Sequence, residues 1–119
     1  MTEISSDVAF WIFSAWCKMT SQLHVIGTRS GKSIASEAGI LWSDPKDSKI
    51  SLELVDDKGQ KHEWVMPLGD AKFSFGTTSP STAATALPGP NGGIWLSFML
   101  AEFPDGSTLL FAERFIEAK

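Results

Sequence analysis

The stretch that most restricts how this chain can fold is Gly92–Ile116, GGIWLSFMLAEFPDGSTLLFAERFI. Two apolar runs flank Pro104-Asp105-Gly106. Proline presets φ for the second position of a turn, and glycine accepts the left-handed conformation that follows. The spacing predicts a long β-hairpin with a three-residue loop and a bulge at Gly106. Pairing Phe103 with Ser107 sets Met99 against Phe111, Ser97 against Glu113 and Ala101 against Leu109. On the other face Phe98 meets Ala112, Leu100 meets Leu110 and Leu96 meets Arg114. Both faces are largely apolar, whereas a half-solvated antiparallel strand alternates apolar with polar residues. The hairpin is therefore expected to be covered on both sides.

One cover is offered near the N-terminus. Ser5, Ser6 and Asp7 are helix N-cap residue types, and Val8–Met19 follows as VAFWIFSAWCKM. A helix over about 7–21 fits, apolar almost all round and hence buried. A central strand buried on both faces competes with it, but the length of the run favours a helix.

The rest of the chain reads as strands and turns. Leu23–Gly27 is a short strand, 28–32 a turn, and Ser33–Ser43 a strand ending in Ile40-Leu41-Trp42. Asp44-Pro45-Lys46-Asp47 breaks the pattern. Lys49–Val55 and Lys61–Pro67 form a second hairpin, with Gly59 where a bulge needs it. Pairing Asp56 with Gln60 places Ile50, Leu52 and Leu54 opposite Met66, Trp64 and His62 on one face. The other face carries Ser51 with Val65, Val55 with Lys61, and Glu53 opposite Glu63, and is expected to meet water. Ala71–Phe75 is a further strand. One apolar face of the 92–116 hairpin is expected against the sheet holding Ile50, Leu52, Trp64 and Met66, the other against the helix. Residues 77–92 carry no charge. Segments longer than about 12–15 residues without regular structure are usually functional or disordered, although Ser79-Pro80 is a helix-start pair. No repeat or boundary interrupts 1–119, so a single domain is expected, with a frayed tail at 117–119. The fold class is α+β, mostly β: an N-terminal helix packed on a twisted antiparallel sheet or partly open barrel of six to seven strands. Were 8–19 a strand, an all-β barrel or sandwich would follow.

Composition narrows function. With 43% hydrophobic and 20% charged residues the chain is globular and large enough for a core of its own. A net charge of −4, with no two of the ten basic residues adjacent, argues against nucleic-acid binding, which rests on clustered Lys and Arg. Cys17 is the only cysteine; that excludes an intramolecular disulfide and favours a reducing, cytoplasmic setting. The start of the chain lacks the basic region of a secretory signal. The 8–17 run is about half of what a membrane span needs, so a soluble protein with no membrane partner is expected.

Candidate chemistry is sparse. Gly27-Thr28-Arg29-Ser30-Gly31-Lys32-Ser33 resembles a phosphate-binding P-loop but has three residues between its glycines instead of four. It reads as a hairpin turn in which Arg29, Lys32 and nearby amides could hold an anion. Cys17, His24 and His62 are the residues suited to nucleophile–base chemistry. Cys17 lies in the most apolar stretch, where burial makes a poor thiolate, and the histidines lack metal-ligand spacing. Glu53 opposite Glu63 could form an acid–base pair, but a solvated face, or a register off by one, is the favoured reading because other site residues are missing around them. Five tryptophans and eight phenylalanines serve mostly as core; Trp64 and Trp95, at the open end of the sheet beneath 77–92, are the pair expected to line a pocket. No cofactor or metal is implied. The expected function is a non-enzymatic binding module, engaging a partner protein or a small apolar ligand. A small enzyme using Cys17 and a histidine, or Glu53 and Glu63, is the alternative. Self-association into a homodimer is a third reading.

Overall fold

The computed structural model describes residues 2–29, 31–77 and 94–116, with the backbone alone at 77, 94–96 and 114–116. In chain order the elements are β1 (Thr2–Ile4), α1 (Ser6–Lys18), β2 (Leu23–Arg29), β3 (Lys32–Asp44), β4 (Lys49–Val55), β5 (Lys61–Pro67), β6 (Lys72–Thr77), β7 (Ile94–Glu102) and β8 (Thr108–Ile116). The strands form one antiparallel sheet in the order β1-β6-β7-β8-β2-β3-β4-β5, and α1 packs against it. The architecture is α+β and mostly β, as expected, with eight strands rather than six or seven. The additional strand is β1, whose three residues are too few to show an alternating pattern. The expectations for 78–93 and 117–119 lie outside the described residues. No helix among the described residues is long and apolar enough to cross a membrane.

Turn chemistry sets the registers. Phe103 N–H donates to Ser107 O at 2.9 Å and Gly106 takes φ +89°. Met99 then pairs with Phe111, Ser97 with Glu113 and Ala101 with Leu109. Asp56 N–H donates to Gln60 O at 2.9 Å, Gly59 takes φ +79°, and Ile50, Leu52 and Leu54 pair with Met66, Trp64 and His62. Both registers are those expected from the turns.

Helix α1 starts where Ser5 Oγ accepts the Val8 N–H at 3.2 Å. It ends earlier than residue 21 because Ser21 N–H turns back to Trp16 O at 2.9 Å and Thr20 N–H to Cys17 O at 3.1 Å. This is a Schellman closure with Thr20 at φ +49°, where glycine is usual. The buried side of α1 presents Ala9, Phe10, Ile12, Phe13 and Trp16. Phe13 makes edge-on contacts with Phe73 of β6 (centroids 6.1 Å apart) and Phe111 of β8 (5.3 Å).

One expectation needs correction. The helix and the β3–β5 half of the sheet do not cover opposite faces of the β7–β8 hairpin. Met99, Ala101, Leu109 and Phe111 share one core cluster with α1 and with Ile50, Leu52 and Met66. The reverse face carries a separate small cluster, Phe98, Leu110 and Ala112, with Ile26 and Leu100 packed on it. The reason is coiling: twist accumulates over eight strands, so the two halves of the sheet curve round one concave side that also receives the helix. The chain leaving β5 shows it, since Leu68 N–H donates to Ser48 O at 2.8 Å and Asp70 reaches Arg29 at the end of β2 at 3.3 Å.

Two local features complete the frame. β2 pairs with β3 only from Leu23–Ala38 to Arg29–Lys32, so the rest of β3 has no strand on that side. Helix α1 lies there instead: Ser14 and Ser43 hydroxyls are 3.1 Å apart and Cys17 Sγ donates to Leu41 O at 3.5 Å. An unpaired strand edge is thereby covered. At Gly27, φ is +144° and the Thr108 carbonyl occupies the space a Cβ would need. Gly27→Ala is expected to cost about 3 kcal/mol from combined strain and overpacking, read as a lower urea midpoint. An unchanged midpoint would show that the β2–β8 approach relaxes freely.

Candidate interaction surface

An α-helix lying against one concave surface can bury only one side. The sequence expectation that α1 is buried all round therefore fails on its outer flank. Val8 is 45%, Trp11 72% and Met19 61% exposed. On the strand that α1 borders, Leu41 and Trp42 are 45% and 36% exposed. The register shifts between Ile40 and Trp42, and this bulge takes Leu41 out of the regular alternation. The contacts of Ser14 with Ser43 and of Cys17 with Leu41 hold α1 against the strand that carries Leu41 and Trp42.

The expected site residues are distributed differently. Trp64 is half-buried, packed against the core, and Lys32 Nζ stands 5.7 Å from its ring centroid. Arg29 and Lys32 are register partners, but their head groups diverge. The Arg29 guanidinium lies over Phe103, 3.6 Å from the ring centroid, and bonds Asp70, its side chain 14% exposed and its Nε without a partner. Trp95 pairs with Phe115 in the β7–β8 ladder; its side chain lies outside the described residues. Trp64 and Lys32 are thus brought together, whereas Arg29 belongs to a corner clasp.

The residues weighed for catalysis also have separate partners. Glu53 and Glu63 are directly opposite, yet Glu53 pairs with Lys61 at 3.6 Å and Glu63 accepts from the buried Ser51 hydroxyl at 2.5 Å. His62 Nε2 meets Asp56 at 2.9 Å, and that bond, with amides of the turn, holds the Asp56 carboxyl below its ordinary range. Cys17 is half-buried with its thiol on Leu41 O. No group of three or more His, Cys, Asp or Glu among the described residues is placed to hold a metal.

Sequence reasoning missed one constellation. Glu113 of β8 accepts from Ser97 Oγ at 2.7 Å and from Ser21 Oγ at 3.0 Å, the latter across 92 positions. The three join the α1–β2 connection to the β7–β8 hairpin. A cavity of about 350 Å³ opens beside them, lined by Met19, Thr20, Ser21, Gln22 and Glu113. A second, of about 220 Å³, lies beyond the same turn against Glu37 and Glu53. Among the described residues neither is lined by an aromatic side chain; the Ser97–Glu113 pairing was the sequence signal that pointed to this place.

The chain matches no family model, no curated protein and no solved structure.

Glu113→Ala leaves both serine hydroxyls without their acceptor and is expected to cost about 1–2 kcal/mol, while Glu113→Gln keeps an oxygen and costs less; urea denaturation of the two variants checks this. His24 is held below the usual histidine value by burial, against an opposing pull from Glu37. Between that lowered value and the unfolded value of about 6.5 the unfolded chain binds more protons, so stability falls as pH drops through this window. His24→Gln is expected to remove that part of the slope, measured as urea midpoint against pH.

Proposed function

We propose that this protein is a non-enzymatic interaction module whose α1–β3 surface engages a partner protein. The observation that carries the reading is Trp11, 72% exposed on a well-formed helix. Tryptophan is the residue type most enriched at energetic centres of protein interfaces and contributes large contact area with few rotatable bonds. Val8 one turn away, with Leu41 and Trp42 on the bordering strand, makes it part of an apolar surface rather than an isolated side chain. The cavities described are lined by a mixture of polar and small apolar side chains. The separate partners of Cys17, His62, Glu53 and Glu63 favour binding over catalysis. The single cysteine supports a reducing compartment such as the cytoplasm.

Photo-crosslinking in the protein's own cells tests this. A photoreactive residue at position 11 or 42 is expected to give discrete adducts, absent with the probe at Lys58 in the exposed β4–β5 turn. Equal labelling at all three positions would overturn the reading.

A further inference from the structure

We infer that the occupant of the exposed α1 flank is a second copy of the same chain, docked helix to helix and antiparallel. This rests on the reading of that flank as a contact surface and names its partner. Val8, Trp11, Ala15 and Lys18 recur at spacings of three, four and three, the seam of a helix pair. A two-fold axis level with residue 13 makes the row complementary to itself. Trp11 then stands over Ala15 of the second copy, a large ring against the smallest residue of the row. Asp7 and Val8 lie against Lys18 and Met19 of the second copy, acid to base and apolar to apolar. Each such match occurs twice by symmetry, as an isologous interface requires. Neither Asp7 nor Lys18 makes an ion pair among the described residues, so both charges are available across the axis. The row is one short helix, at the small end of interface sizes, and such contacts are weak and reversible.

Sedimentation equilibrium of the intact protein, from micromolar to millimolar concentration, tests the inference. The wild-type chain is expected to show a reversible monomer–dimer equilibrium. Asp7→Lys alone and Lys18→Glu alone each set like charges against each other twice and are expected to raise Kd by roughly ten-fold. The double exchange D7K/K18E restores opposite charges and is expected to return Kd to within a few-fold of wild type. That recovery separates pairing across the axis from the helix dipole, since each exchange also places a charge at the wrong helix end and those costs add. Thermal melts of all four proteins show that the monomers remain folded. Ala15→Trp, which fills the space assigned to the opposing ring, is expected to abolish the dimer. A monomer at every concentration, or a dimer indifferent to the charge exchanges, overturns the inference. If the crosslinks at position 11 persist with a different protein, the contact-surface reading survives and only the identity of the partner fails.

Discussion

The fold depends on the placement of Phe13. Its ring makes edge-on contacts with Phe10 at 5.5 Å, Trp16 at 5.9 Å, Phe73 at 6.1 Å and Phe111 at 5.3 Å. Two of those rings belong to its own helix, and the others to strands on different parts of the sheet. Edge-to-face pairs add about 0.5–1.5 kcal/mol each beyond the area they bury, and they fix orientation as well as distance. Phe13 therefore sets the depth and rotation of α1 within the concave side of the sheet. Once that rotation is fixed, Ser14 and Cys17 meet β3, and Trp11 is turned to solvent.

The surface then follows from the same geometry. A helix apolar on nearly all sides would be fully sequestered in a larger protein. Here the coiled sheet supplies one concave wall and a bordering strand, so the side of α1 away from Phe13 remains uncovered. The polar residues on the helix stand mostly at its ends and along the Ser14 line facing β3. An uncovered apolar row on a capped, tightly packed helix is rigid, and a rigid surface loses little conformational freedom when it binds. Stability and the proposed interaction thus use opposite sides of one element.

Much of the frame was legible in the sequence because turns are local. Pro104-Asp105-Gly106 and Asp56–Gln60 carry their own stereochemical rules, and each fixed a register over a whole hairpin. Ser5 as cap and the length of the apolar run gave α1. Relations between distant elements were not legible. Nothing local says that sheet coiling would bring Met99 and Ile50 into one cluster with the helix on the same side. The Ser21–Glu113 bond spans most of the chain, and Arg29 finds Asp70 only because the path after β5 doubles back. Trp11 and Trp16 are indistinguishable by composition. Their different fates follow from the angle between them on the helix and from which wall α1 meets, and only the three-dimensional packing decides that.

The most direct test of the account is a set of amide and indole NMR spectra recorded over a dilution series. Concentration-dependent shifts are expected to be confined to the outer flank of α1, strongest at the Trp11 indole and at Asp7, Val8, Ala15, Lys18 and Met19. The amides of Phe10, Phe13 and the β4–β5 hairpin are predicted to stay unchanged. Shifts centred on the β5 edge or the β7–β8 hairpin, or none at all, would contradict it.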